Sequence, residues 1–389
     1  MALLPLLVLS LTAALFFTLR SLENQNAKDS FDIVAQERFG ALETNVTLTL
    51  HSLVSLGAFY DGWGDIDRAE FGRYAKDLLA RDRAIQALEW IPRTSNLQRT
   101  DRENSAHHDG LVSFQFTERL PDGELARAGD RDEYFPVFFV EPLQNNEKAL
   151  GFDLASDWVR SGALKRSAVT ASLVATSRVK LVQETADQDG FLVFRPVYRG
   201  GVPPLSVKDR RERLLGFVLA VFRVGDIVEK AGAVANADSG LHVVIFDLGA
   251  KPGERLLYPK RAQFDGVGDL PAGFRASREV RVADRKWTMS VYPDSQAFRP
   301  VRWSSESALA AGVLFASLLM GYIRLDRRRH LEIEQRGAHL EELVRSRTTA
   351  LEAKEQQLRL LLESTGEAIY GIDLKGRCTF CNPDRKSVV

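Results

Sequence analysis

Two unbroken apolar runs lie near the ends of the chain, with a long middle between them in which apolar and polar residues alternate. The first run covers Ala2–Leu19, eighteen residues without a charge, and is closed by Arg20. At 1.5 Å rise per residue it spans about 27 Å, close to the thickness of a hydrocarbon core. A cleaved signal peptide would carry a charged leading region and a small-x-small cleavage site. Neither is present around Phe16-Phe17-Thr18-Leu19, so residues 1–19 read as an uncleaved first transmembrane helix. The lack of basic residues before it points to a start further upstream. The second run, Ala308–Ile323, is apolar on every face, with Trp303 and Tyr322 where an interfacial aromatic belt falls. It gives a second transmembrane helix over 303–323. Arg324, Arg327, Arg328 and Arg329 follow at once. The positive-inside rule puts that flank in the cytoplasm, and two spans then put residues 20–302 outside and both termini inside.

Between the spans the period changes. Residues 20–62 read as one long stalk helix in which Ala35, Leu42, Thr49 and Leu56 recur every seventh position, interleaved with Phe39, Val46, Leu53 and Tyr60. Such a seam suits a parallel dimer or a helix lying on its own domain. Asp61-Gly62-Trp63-Gly64 ends it, and a second helix over Arg68–Ala80 follows, with Asp65 or Asp67 as N-cap. Strands are then expected at 85–92, 111–118, 135–140, 191–198, 216–224, 241–248, 255–258, 276–283 and 286–292. Helices are expected at 157–168 and 170–177, and a short one follows 216–224. Long alternating strands with few helices indicate an α+β fold built on antiparallel sheets. The GGVPP stretch (200–204) reads as a linker between a distal part, 65–200, and a proximal part, 205–292.

Composition narrows the function. Lys+Arg and Asp+Glu number 52 each, leaving no basic excess of the kind that marks a nucleic-acid binder. The two cysteines, Cys378 and Cys381, form a CxxC with no second Cys or His pair, so they read as strand residues and not as a metal site. His107-His108 reads as a loop pair lacking a third ligand. No nucleophile–base constellation, Gly-rich phosphate loop or carboxylate pair calls for catalysis in these residues, and no cofactor is implied.

Several middle segments carry a resemblance. AIQALEWIPR (84–93), YFPVFFVEP (134–142), ALGFDL (149–154) and FLVFRPVY (191–198) together resemble the CHASE domain, with the match running through roughly residues 65 to 290. That is the extracytoplasmic sensor of cyclase- and histidine-kinase-associated receptors, plant cytokinin receptors among them. The resemblance implies a stalk helix leading into two stacked PAS-like antiparallel-sheet subdomains, the distal one holding a small-molecule ligand. Carried over by position, Asp153 corresponds to a ligand-binding aspartate, with Thr170 and Thr176 downstream of it. Thr170-Ala171 stands where the plant receptors have Thr-Gly, so a cytokinin-like ligand does not follow. A lone carboxylate facing an apolar pocket would orient a heteroaromatic or amine ligand, although Asp153 also stands where it would cap a helix beginning near Ser156. Tyr134, Phe138 and Phe152 are the expected pocket walls. Arg93 and Arg195, at strand ends, are candidates to read an anion.

Beyond the second span, 324–360 carries Leu340, Val344, Leu351, Leu358 and Leu361 at heptad-like spacing, with Arg347 and Lys354 on the same seam. This predicts a loosely sealed two-stranded signalling coiled coil. Residues 361–383 resemble the opening helix and strand pair of a cytoplasmic PAS domain, with Lys375-Gly376-Arg377 at the turn. The tail 384–389 departs from the expected continuation and reads as non-native. The expectation is a multi-pass protein of the inner (plasma) membrane with an extracytoplasmic, periplasmic-side sensor, homodimeric through stalk and coiled coil. Its ligand would control a histidine kinase core beyond these residues, and through it a response regulator. A diguanylate cyclase or phosphodiesterase output, or a non-enzymatic receptor, are the alternatives.

Overall fold

A computed structural model describes residues 3–182, 189–232, 240–259, 264–294, 297–364 and 369–381. It forms two compact units, one of Met1–Leu22 with Arg302–Val389 and one of Glu23–Val301. Helix α1 (Leu3–Trp63) contributes to both.

In the unit Glu23–Val301, α1 is followed by α2 (Arg68–Arg81), β1 (Ile85–Pro92), β2 (Thr94–Ser95), α3 (Arg99–His108), β3 (Thr117–Arg119), β4 (Leu125–Arg127), β5 (Glu133–Tyr134) and β6 (Phe139–Glu141). Then come α4 (Trp158–Thr170), β7 (Val174–Ala175), β8 (Val179–Lys180), β9 (Asp189–Tyr198), α5 (Val207–Arg213), β10 (Leu214–Arg223) and α6 (Val224–Lys230). Strands β11 (Leu241–Asp247), β12 (Leu256–Tyr258), β13 (Ala276–Val282) and β14 (Arg285–Pro293) complete it. The first sheet runs β6-β1-β10-β9-β7, with β8 also on β9, and every pairing is antiparallel. The second runs β12-β11-β14-β13, again antiparallel.

Alternation sorts the side chains of each sheet onto two faces. Leu88 and Trp90 of β1 face a core shared with α1 and α2, whereas Ala87 and Ile91 face a second core under α4. In β11, Val243 and Ile245 join the α1 core, while Val244 and Phe246 face a small third cluster. The α1 stripe Phe31, Ala35, Phe39, Leu42, Val46, Leu53, Leu56 and Tyr60 therefore lies buried along both sheets of its own chain. Of the two partners the heptad seam allowed, the structure supplies the intramolecular one. A homodimer through the stalk would need another face of α1.

The N-cap of α2 is Asp67. Its carboxylate accepts from the Glu70 amide at 2.7 Å, and the Glu70 side chain returns the bond to the Asp67 amide at 3.1 Å, a capping box that fixes the helix start. Several expectations change. The loop beginning GGVPP is a hairpin connection inside the first sheet, because β10 pairs with both β9 and β1. Residues 205–223 therefore belong with the distal part, and the chain leaves that sheet only after β10. The segment 170–177 is not helical: Ala171, at φ 53°, ends α4, and Val174–Ala175 pair with β9. The alternating run 111–118 forms strand only at Thr117–Arg119, and α3, too polar to show an apolar stripe, puts His107-His108 on a helix and not in a loop.

The other unit contains α7 (Trp303–Ser364), β15 (Tyr370–Ile372) and β16 (Cys378–Cys381), together with the start of α1. Both α1 and α7 contain an 18-residue window apolar enough to cross a membrane, of mean hydropathy 2.0 and 1.8. Each window is only 6% buried, which sets it apart from the core helix of a soluble domain. The two runs pack where a Cβ on Gly312 would lie 2.2 Å from Thr12 Cγ2, so glycine is required for that approach. Helix α7 continues unbroken from the apolar run through the charged segment. Strands β15 and β16 pair antiparallel about a turn in which Asp373 accepts from the Lys375 and Arg377 amides. Cys378 and Cys381 lie exposed on β16. The tail 384–389 lies outside the described residues.

Candidate functional site

The first sheet carries the cluster that contains Asp153. Gly151, at φ +78°, turns the chain ahead of it; a Cβ there would lie 2.0 Å from the Gln115 carbonyl oxygen. Asp153 is fully buried. Its Oδ1 accepts from the Phe135 amide at 2.8 Å and the Ala155 amide at 3.1 Å, and its Oδ2 accepts from Arg131 Nη1 at 2.7 Å. Burial lifts the Asp153 carboxyl above its ordinary range, against the lowering effect of those two amides and of Arg131. Arg131 also pairs with Glu118. Its own amide donates to the Tyr134 hydroxyl at 3.0 Å, and its guanidinium lies 5.7 Å from the Tyr134 ring centroid. Arg99 donates to the same hydroxyl at 3.2 Å, and that hydroxyl donates to the Gly129 carbonyl at 3.0 Å.

The other residues expected from sequence fall elsewhere. Phe152 lies in the core under α4 with the Arg160 guanidinium 5.5 Å from its ring. Phe138 lies in the α1 core, flanked by Arg102 and Arg68 at 5.2 and 5.5 Å. Thr176 is buried at the sheet edge and accepts from the Leu192 amide at 3.0 Å. Thr170 is exposed at the end of α4, its hydroxyl donating to the Arg166 carbonyl at 2.8 Å. Arg195 pairs with Asp61 of α1 at 2.6 Å. Of the six residues expected as ligand contacts or pocket walls, Asp153, Thr170, Thr176, Tyr134, Phe138 and Phe152, the structure brings Asp153 and Tyr134 together around Arg131.

Beside this cluster is a cavity of about 480 Å³. One wall is α4, through Ser161, Leu164, Lys165 and Ala168, spaced so that they share one helix face. Arg93, Arg131, Glu133, Phe135, Ala155, Arg211, Leu214 and Phe217 also line it. None of the six expected residues lines it. Yet Asp153 binds three groups that do: the Arg131 guanidinium and the amides of Phe135 and Ala155. The sequence reading found the brace behind the wall and, in Arg93, one residue of the wall itself. Lys165, Arg211 and Phe217 were missed. The one available signal for Arg211 was the basic run Arg210-Arg211-Glu212-Arg213, which falls at the start of the expected proximal part, away from the distal pocket.

Deeper under α4, Glu89 of β1 is buried opposite Val140 and Leu219. Burial pushes its carboxyl up to about 8, although the positive charge of Arg160 pulls it down. Arg160 is itself buried, donates to the Lys180 carbonyl at 2.7 Å and pairs with Asp157 at 3.2 Å.

The sheet, its α4 cover and this cavity all fall within residues 64–258, which match the family described as the CHASE domain. The chain belongs to the CHASE-domain family. A hybrid signal transduction histidine kinase A from Dictyostelium discoideum is 22% identical over 379 residues, covering 90% of this chain and 17% of that protein. The CHASE chain thus spans under a fifth of that relative's length. Among solved structures, the periplasmic sensory domain of the Campylobacter jejuni chemoreceptor Tlp1 aligns at TM-score 0.45 and 14% identity, over 72% of this chain and 99% of that one. The ligand-binding domain of the Pseudomonas aeruginosa PAO1 amino acid chemoreceptor PctC, in complex with GABA, aligns at 0.39 and 10%, over 65% and 94%. Both are distant resemblances.

Proposed function

We propose that this chain is the sensing part of a transmembrane receptor whose CHASE domain binds a small molecule outside the cell and controls a cytoplasmic histidine kinase. The observation that carries the reading is the cavity between α4 and the first sheet: concave, floored by Phe135, Leu164 and Phe217, and rimmed by a few polar groups. Asp153 acts from behind the wall, holding Arg131 and the Phe135 backbone, with Tyr134 buttressing Arg131. Orientation follows from Arg324, Arg327, Arg328 and Arg329 beyond the second apolar run, which favour a cytoplasmic flank. The charged part of α7 would pair with a second copy as a coiled coil and pass the signal to a PAS domain, of which β15 and β16 are the first strands.

The kinase output rests on the hybrid histidine kinase relative and on the PAS-like wording of 361–383. A response regulator would receive the phosphoryl group. A cyclase or phosphodiesterase output is the second reading, since CHASE domains resemble the front ends of those receptors too. The test is a metabolite screen by thermal shift on the full chain in lipid nanodiscs, repeated on Ala168→Trp, which fills the cavity from α4. Hits that Ala168→Trp abolishes support the reading. Hits it leaves intact, or a folded chain with no hits, refute it.

A further inference from the structure

The cavity carries an excess of positive charge that its own carboxylates do not neutralise. Four cations line it, Arg93, Arg131, Lys165 and Arg211, against a single lining carboxylate, Glu133. Two of the four are already engaged. Arg93 Nε pairs with Glu133 at 2.7 Å and its Nη1 donates to the Arg211 carbonyl at 2.6 Å. Arg131 is held by Asp153 and Glu118. The side chains of Lys165 and Arg211 have no hydrogen bond or ion pair among the described residues. The Arg93 bond fixes the backbone of Arg211, so α5 is tied to the cavity mouth while its guanidinium is left open. Below these two cations the lining is apolar: Phe135, Leu164, Leu214 and Phe217.

We infer that the ligand is an organic carboxylate with an apolar body, its carboxylate met by Lys165 and Arg211 and its body seated on Phe135 and Phe217. The inference rests on the cavity being the ligand site. An amine has no lining carboxylate to meet, because Glu133 is taken by Arg93. A neutral amide or alcohol would leave both cations without a counter-charge, whereas an anion gains charge-assisted hydrogen bonds to them. Arg211, with its planar fork, supplies the bidentate contact, and Lys165 adds a mobile point charge.

The test uses the full chain in lipid nanodiscs, with melting followed against hexanoate, phenylacetate, hexanamide, phenylacetamide and hexylamine. The two acids are expected to raise the melting temperature, and each amide to need at least tenfold higher concentration for the same shift. The double variant Lys165→Met/Arg211→Met should melt normally without ligand, since both side chains are exposed, and should lose the preference for acids. Lys165→Arg/Arg211→Lys should keep it. Amides or hexylamine stabilising as well as the acids would overturn the charge assignment and leave the cavity standing. No shift with any of the five would overturn the carboxylate assignment, and the metabolite screen with Ala168→Trp then decides the cavity by itself.

Discussion

Replacing Glu89 by glutamine removes a charge that the fold cannot hold and keeps the size of the side chain. Glu89 sits in the centre of the first sheet, where burial moves its carboxyl from 4.5 to about 8. The sign follows from proton binding. Between those values the unfolded chain has released the proton and the folded chain still holds it, so the folded state binds more protons and stability falls as pH rises. The cost is nearly absent below pH 4.5, grows through neutrality and levels off above pH 8. At 1.36 kcal/mol per unit it amounts to roughly 1 kcal/mol at pH 5 and roughly 3 kcal/mol at pH 7. Glu89→Gln should therefore stabilise the Glu23–Val301 unit by about those amounts, a melting gain at pH 7 of roughly 6–12 °C for a domain of this size. The Arg160 guanidinium, which loses a charged neighbour, trims the gain at high pH. Urea denaturation of both proteins at pH 5, 6, 7 and 8 measures the difference directly. A gain that does not grow with pH, or a variant less stable than the parent throughout, would show that Glu89 is ionised in the fold and neutralised by Arg160.

Asp153→Ala should cost the domain roughly 3–5 kcal/mol, because it strands half of the bonding of a partly buried Arg131 and frees two amides. Chemical denaturation checks this, and a loss under 1 kcal/mol would return Asp153 to a direct ligand role. Phe39→Ala, fully buried in the α1 core, should cost roughly 3–5 kcal/mol whatever the protein concentration. A concentration-dependent loss would mean that the stalk seam is covered by a second copy. Gly312→Leu should destabilise the paired apolar runs by roughly 1–3 kcal/mol through overpacking against Thr12, read as the denaturant midpoint in detergent. Gly321→Leu, which meets open space, should not. Equal effects would refute the Thr12–Gly312 contact.

Periodicity and local chemistry were enough to establish the long helices, a cap at Asp65 or Asp67 opening α2, and the strands 85–92, 191–198 and 276–292, because each depends on neighbours within a few residues. That Asp67 is the cap, closed as a capping box, came from the structure. The two apolar runs were equally plain. What escaped depends on pairing across long stretches of chain. The 200–204 loop has the composition of a linker, and only the placement of β10 between β1 and β9 makes it a hairpin. The α1 seam fits two partners equally well in one dimension, and the sheets of the same chain occupy it in three. The same holds at the site. Asp153 could be singled out, but its partner Arg131 lies 22 positions away, and whether a carboxylate faces a ligand or braces an arginine is not written in its spacing. The cavity joins Arg93, Arg131, Lys165 and Arg211 from four separate segments. Their shared, under-neutralised charge exists only once the sheet and α4 have closed on each other.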